Sequence, residues 1–327
     1  MTLASRLGGT RLRRGALLIL AAFATVACRA PDPLLSFLDD ESGLSFTHPP
    51  RWSVGFAEQE GTRYRFLTAP KVDGDKEALS VTLVSPTVAP SLPALAEAYL
   101  DGGSDVTTEP APTGGTEWSF RDSSGLPSRL RLSPLSDGRF FGAWARGSAE
   151  AMRLYKRRLD ILFESLRVED PSTWPEDRFA GLAARAPEGW TRGSRLSSPT
   201  NATMQFKSLP LAVERTTATI HGFVTVSREP VPPPGDLEAF SRALKDRTSD
   251  TVVVLQHQPW PEDPSVQRGA GYVDFMRSGT TLTSTRIRRW ISVRNGVGLI
   301  LSCEARADAF DRLDPWCRRM ARAVRLD

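Results

Sequence analysis

Two tracts of this chain show the same change of hydrophobic period. In each, apolar residues first alternate with polar ones, the pattern of a strand with one buried face, and then recur every three or four positions, the pattern of a helix with one buried stripe. In the first tract the alternation predicts strands at 64–67 and 79–84, a helix over 92–100 after Pro90, and strands at 117–121, 128–132 and 139–145. A closing helix is expected from about 148 to 166, with Met152, Tyr155, Leu159, Leu162 and Phe163 along one side. In the second tract strands are expected at 202–207 and 218–227, and Asp236 is placed to cap a helix reaching about 246. Strands at 251–257, 271–277, 283–293 and 296–304 follow, then a closing helix over 308–324.

The two tracts also open and close alike. Leu44, Pro49 and Trp52 in "LSFTHPPRW" return as Leu182, Pro187 and Trp190 in "LAARAPEGW", with the same spacing. "FESLRVED" ends the first tract and "ARAVRLD" the second, and "DPSTWPEDR" stands between them as a proline-bearing linker. Strands and helices that each need a cover for one apolar face imply an α+β architecture, with an antiparallel sheet against helices in each tract. The expected organisation is a leader over 1–27, a tether over 28–40, a first domain over 41–169, a linker over 170–177 and a second domain over 178–327. The opening "SGLSFTHPPRWSV", a strand running into Pro-x-x-Trp, resembles the start of PsbP-like domains. That resemblance implies an antiparallel sheet between helices and an accessory or assembly role, with no shared reaction. Ala184 and Arg185 depart from the pattern in the second tract.

The first 27 residues have a different character. A basic segment ends at Arg14, and an uncharged apolar run from Gly15 to Ala27 follows. Thirteen residues rise about 20 Å as a helix, short of the ~30 Å hydrocarbon core, so the run suits a signal-peptide core better than a permanent span. Thr25-Val26-Ala27-Cys28 resembles a bacterial lipobox. The resemblance implies cleavage before Cys28 and lipid on its thiol, with membrane attachment through the acyl chains. Arg29 follows where an aspartate would retain many such proteins at the inner membrane, which favours the outer membrane, facing the periplasm.

The leader also explains the charge. The chain carries 42 Lys and Arg against 38 Asp and Glu, but four of the arginines, Arg6, Arg11, Arg13 and Arg14, lie in the leader, which has no acidic residue. The remainder is balanced, with no large excess of positive charge for a nucleic-acid partner. With Cys28 lipidated, Cys303 and Cys317 remain as a pair in an oxidising compartment. Cys303 sits on the apolar face of the last strand and Cys317 on the apolar stripe of the closing helix. The two readings are a disulfide closing a loop of about 15 residues, worth about 3 kcal/mol, or two buried thiols.

Candidate chemistry is sparse. The histidines are His48, His221 and His257, and none is spaced as a zinc motif; no nucleophile elbow, phosphate loop or dinucleotide fingerprint occurs. His48 reads as a surface turn residue, and the acidic pair Asp39-Asp40 as a solvated part of the opening segment. Trp52 and Trp190 read as core plugs. Trp174 and Trp260, in "STWPEDR" and "QPWPED", are loop aromatics that either anchor a partner or pack at a domain boundary. Arg286, Arg288 and Arg289 with Arg318, Arg319, Arg322 and Arg325 form a basic C-terminal group, either a solvated face or a contact for anionic lipid or an acidic partner; Arg318 and Arg322 are the candidates on the closing helix. The expectation is therefore a non-enzymatic envelope lipoprotein binding another envelope protein, with no cofactor or metal. The alternative is an envelope hydrolase assembled from dispersed residues such as His48 or His257 with nearby acids.

Overall fold

In the computed structural model the described residues are 33–39, 41–59, 62–112, 114–211, 219–247, 252–259, 270–277 and 284–326. The leader, the lipobox with Cys28, and Trp260 lie outside them.

In the first half, β1 (Leu35–Leu38) and β2 (Leu44–His48) form a small antiparallel sheet completed by β10 (Arg167–Val168). Between β2 and β10 come β3 (Ser53–Gln59), β4 (Thr62–Thr68), β5 (Ser80–Val88), helix α1 (Leu92–Leu100), β6 (Ser104–Pro110), β7 (Thr116–Arg121), β8 (Pro127–Pro134), β9 (Arg139–Arg146) and helix α2 (Ala149–Ser165). The seven strands make one sheet in the order β3-β4-β5-β9-β8-β7-β6. The second half repeats this plan. β11 (Glu176–Phe179) and β12 (Leu182–Arg185) pair in a small sheet closed by β20 (Arg325–Leu326). The intervening elements are β13 (Thr191–Ser197), β14 (Ala202–Lys207), β15 (Phe223–Pro230), α3 (Leu237–Asp246), β16 (Val252–Pro259), β17 (Ala270–Arg277), β18 (Thr285–Arg294), β19 (Val297–Arg306) and α4 (Phe310–Ala323). Their sheet order is β13-β14-β15-β19-β18-β17-β16, the same permutation as in the first half.

Local sequence explains the helix starts. Ser91, Ser148 and Asp236 each accept a hydrogen bond from a backbone N–H three residues on, satisfying one of the orphan donors of the first turn. Each large sheet carries a helix on each face. The closing helix α2 packs Tyr155, Leu159, Leu162 and Phe163 on Leu67, Val81, Leu83, Ala143 and Ala145. On the opposite face α1 packs on Val84, Trp118, Phe120, Leu130 and Leu132. In the second half α4 covers Val224, Val226, Leu301, Cys303 and Ala305, and α3 covers Phe275, Ile287, Ile291 and Ile300. α3 approaches closely because Phe240 lies on Gly298, where a Cβ would meet the ring at 2.2 Å.

Residues from Leu34 onward form one compact unit, and residues 34–39 of the segment expected as a tether are part of it. The four residues of β1 are all buried. Phe37 enters the core of the first half and Leu38 that of the second. Ser36 donates from its N–H to the Pro210 carbonyl at 2.9 Å and forms a parallel bridge with Leu211. The strand thus works with both faces, and a short apolar run directly after Pro33 gives no alternation by which to find it. The expected linker is likewise engaged: Trp174 is buried and Glu176 and Asp177 begin β11. Asp39 is buried rather than solvated, where it holds Ser42 and the Arg65 guanidinium at 2.6 Å. Burial acts to raise its carboxyl, and the hydrogen bonds from Ser42 and Arg65 outweigh it, leaving Asp39 below the ordinary carboxylate value.

Candidate binding face

The sequence-predicted residues do not converge on one site. Cys303 and Cys317 are joined by a disulfide that ties β19 to α4, with Cα atoms 6.3 Å apart. Trp174 is no surface anchor. Its ring is buried against Trp316 at 6.3 Å between centroids, and its indole Nε1 donates to Glu169 at 2.6 Å. The proline-flanked loop places it inward because Glu169 supplies the acceptor its N–H needs. His48 is also internal, only 1% exposed; its Nδ1 lies 2.9 Å from the Pro49 carbonyl, and burial pushes it down to about 4. His221 Nδ1 meets the Ser208 carbonyl at 2.8 Å. Among the described residues, no cluster of three or more His, Cys, Asp or Glu is arranged to hold a metal ion, and no helix is long and apolar enough to cross a membrane.

The expected basic patch divides by strand alternation. Arg286 and Arg288 turn toward α4 and are consumed in an ion network. Asp274 Oδ2, opposite Arg288 across β17–β18, takes both guanidinium groups at 2.7 Å. Asp314 of α4 holds Arg288 at 2.6 Å and Arg318 at 2.7 Å, so Arg318 is committed to structure. The Phe310 ring lies 4.9 Å and 5.7 Å from the two guanidinium groups. Burial acts to raise Asp274, but the hydrogen bonds from Arg286 and Arg288 prevail and hold its carboxyl below the ordinary value. Arg322 is exposed on the last turn of α4.

The first half contains the same device. Glu117, opposite Arg131 across β7–β8, accepts from Arg129 at 2.7 Å and Arg131 at 2.6 Å. Asp160 of α2 holds Arg129 at 2.8 Å, and the Phe163 ring lies 5.2 Å and 5.1 Å from the pair. "SRLR" at 128–131 and "TRIR" at 285–288 are therefore equivalent, a repeat signal that a search for apolar periodicity passes over.

This register allows the other face of the two sheets to be compared residue by residue. Below α1 the first half places Val84, Trp118, Phe120, Leu130, Leu132 and Trp144, an apolar set around Ala96. The strand pairings put Thr225, Phe275, Arg277, Ile287, Arg289 and Glu304 at the same positions in the second half. Four apolar residues are thus replaced by polar or charged ones, and α3 covers only the remaining apolar part. Arg289 is central to this polar area. Its guanidinium lies 5.0 Å from the centre of the Phe275 ring, and directly across the sheet come Ser302 and then Thr225. Glu304 is occupied by Arg277 at 3.3 Å and Glu229 by Arg247 at 2.8 Å. Among the described residues, Arg289 has no hydrogen-bonded or ion-paired partner of its own. Burial pushes its guanidinium down from the ordinary value, with Glu229 and Glu304 acting the other way. Phe223, opposite Glu304, is 39% exposed at the margin of this area. A sequence signal for this exists: in "TRIRRW" alternation sends Arg289 to the opposite face from Arg286 and Arg288.

Elsewhere, a recess of about 20 Å³ between α4 and the sheet, lined by Trp290, Leu299, Leu301 and Val324, has room for roughly one water.

No protein-family model matches the chain, and no curated protein matches it. Solved structures with some likeness include the Saccharomyces cerevisiae Ran-binding protein Mog1p, at 14% identity and a TM-score of 0.31 over 47% of this chain and 96% of that one. Another is the PsbP protein (CyanoP) of the cyanobacterium Synechocystis, at 13% identity and a TM-score of 0.31 over 44% of this chain and 98% of that one. A third is the apo T6SS immunity protein TplEi of Pseudomonas aeruginosa, at 7% identity and a TM-score of 0.23 over 90% of this chain and 97% of that one. Identities and scores of this size assign neither a function nor a partner to this chain.

Proposed function

We propose that the protein is a non-enzymatic cell-envelope lipoprotein, anchored by lipid on Cys28 at the outer membrane and facing the periplasm. In this reading it comprises two tandem domains of one α+β plan, and the second is an accessory, protein-binding module. The observation that carries the binding role is the contrast between the two halves on one sheet face. Thr225, Arg277, Arg289 and Glu304 stand where the first half buries Val84, Phe120 and Leu132 and half-buries Trp144. Placing charge on a half-covered sheet face is unfavourable for folding alone, because each group loses part of its hydration. A partner that pairs with Arg289, which has no carboxylate of its own among the described residues, accounts for the arrangement. The anchor rests on the lipobox pattern and on Arg29 after Cys28.

Site-specific photocrosslinking in intact cells tests the face. A photoreactive residue at Phe223, beside the polar area, should give a discrete protein adduct. One at Val88, which is 81% exposed in the first half, should not. Equal labelling from both positions, or none from either, would overturn the assignment of the face. Cys28→Ser should move the protein to the soluble fraction, and retention of the variant in membranes would overturn the anchor.

A further inference from the structure

We infer that Arg289 is the anchoring group of a carboxylate-recognition site, which takes an acidic side chain of a partner polypeptide on the second-half sheet. This inference deepens the binding-face reading and rests on it. Among the described residues, the charges that act on Arg289 are the cations Arg247 and Arg277 and the anions Glu229 and Glu304. Two of the guanidinium groups have a carboxylate within 3.3 Å or less. The third has none among the described residues, so the group carries one positive charge in excess, and one carboxylate neutralises it.

The surroundings of Arg289 suit that ligand. Its guanidinium lies 5.0 Å from the centre of the Phe275 ring, between the buried Val273, opposite it on β17, and Ser302. That neighbourhood limits the freedom of the side chain and removes part of its water, and partial desolvation strengthens a charge-assisted hydrogen bond. The planar fork of a guanidinium matches the two oxygens of a carboxylate. Ser302 and Thr225, in the same row across β19 and β15, add two hydroxyls, and neither hydroxyl has a hydrogen-bond partner among the described residues. A phosphate dianion fits less well, because a single unpaired cation faces it and Glu229 and Glu304 repel a second negative charge. The exposed Phe223, one row further along, offers apolar surface to the residues that flank the acidic one. The first half lacks the device: the equivalent row is Leu132, Gly142 and Val84.

The test uses the full chain, purified with its arginines labelled in nitrogen-15, and follows the side-chain Nε resonance of Arg289. That resonance is assigned by its loss in Arg289→Leu and Arg289→Lys. The leucine variant reproduces what the first half carries at Leu132, so it should fold with a melting temperature at or above the parent's; Arg289→Lys serves if it does not. The probes are N-acetyl-aspartate amide, N-acetyl-asparagine amide and inorganic phosphate at matched ionic strength. A saturable shift with the aspartate probe is expected, weakened about 10-fold or more for the asparagine probe. No saturable response to the aspartate probe, or an equal response to asparagine, would overturn the proposal. Tighter binding of phosphate than of the aspartate probe would overturn the carboxylate assignment in favour of a phosphate-bearing ligand. A Phe223 crosslink that survives Arg289→Leu without any aspartate response would sink the carboxylate site and leave the binding face standing. Absence of the parent crosslink would remove the face itself.

Discussion

Glu169 and Trp174 are joined across the middle of the chain by a hydrogen bond of 2.6 Å from the indole Nε1 to Oε2. Glu169 follows β10, the last strand of the first half, whereas the Trp174 ring belongs to the core of the second. The same carboxylate accepts from Ser45 at 2.5 Å and Arg167 at 2.6 Å, and the Glu169 backbone carbonyl takes Arg319 at 3.4 Å. With Leu38 inserted into the second core and Arg312 placed 5.2 Å from the centre of the Phe37 ring, this region joins the two halves through both side chains and backbone.

Glu169→Ala should therefore be strongly destabilising. It would leave the Ser45 hydroxyl and the Trp174 N–H without their acceptor in a buried place, at about 1–3 kcal/mol for each orphaned group. Glu169→Gln retains one carbonyl acceptor and should lose less. Urea denaturation of both variants, with limited proteolysis of the 170–177 segment, checks this. Equal and small losses for the two would show that the junction does not depend on Glu169.

The disulfide should contribute on the scale of a short closed loop. Cys303 and Cys317 are 14 residues apart, which corresponds to about 3 kcal/mol from restriction of the unfolded chain. Cys303→Ala combined with Cys317→Ala should lose about that much and leave the fold unchanged, since Ala143 occupies the position equivalent to Cys303 in the first half. Guanidinium denaturation of the double variant against the oxidised parent provides the measurement. An unchanged midpoint would mean that the bond restricts nothing that matters to stability.

These elements differ in how far they can be read from the chain. The helices at Leu92–Leu100 and Leu237–Asp246 are legible to the residue or nearly so, because a capping side chain precedes an apolar stripe. β6 and β13 are invisible to periodicity: every residue in both is exposed, so there is no alternation to detect. The arginines of "TRIRRW" resemble a surface patch in the sequence because Asp274 and Asp314, which bury two of them, lie 14 and 26 residues from Arg288. Pairing across strands, rather than local pattern, decides whether an arginine is a solvated charge or an internal one. That Arg289 has no carboxylate among the described residues is visible only once its neighbours have been paired with each other.

The two ion networks should differ in their sensitivity. Asp274 is 1% exposed and serves two arginines, whereas the Glu117 side chain is 15% exposed. Asp274→Ala removes the carboxylate that Arg286 and Arg288 share and leaves them Asp311 and Asp314 as their remaining partners, so the loss should stay below about 3 kcal/mol, whereas Glu117→Ala leaves Arg131 without a carboxylate and should lose about 3–5 kcal/mol. Adding Arg288→Leu to Asp274→Ala should recover part of the loss, since it removes the more buried of the two cations that have lost a partner. Thermal unfolding of the single and double variants measures this as a cycle. Additive losses would indicate that the two residues are not coupled.

His48 should make stability depend on pH in a defined window. Burial lowers its value from 6.5 to about 4, so the folded protein keeps the imidazole neutral where the unfolded chain already takes up a proton. The unfolded state then binds more protons between those values, and stability falls as pH falls from about 6.5 to about 4; above 6.5 neither state is protonated and the full contribution is present. A difference of this size corresponds to about 3 kcal/mol at most. The carboxylates of Asp39, Asp160 and Asp274 are all held below their ordinary value of 3.8, so their contributions are lost only as pH falls below about 5, and the range from 6.5 to about 5 reports His48. Denaturation at pH 7.5, 5.5 and 4.5 should show the parent losing stability across the series. His48→Leu, lower at pH 7.5 for its altered packing, should be nearly flat between pH 7.5 and 5.5. Parallel slopes for parent and variant would place the imidazole in contact with water and overturn its assignment as a buried neutral group.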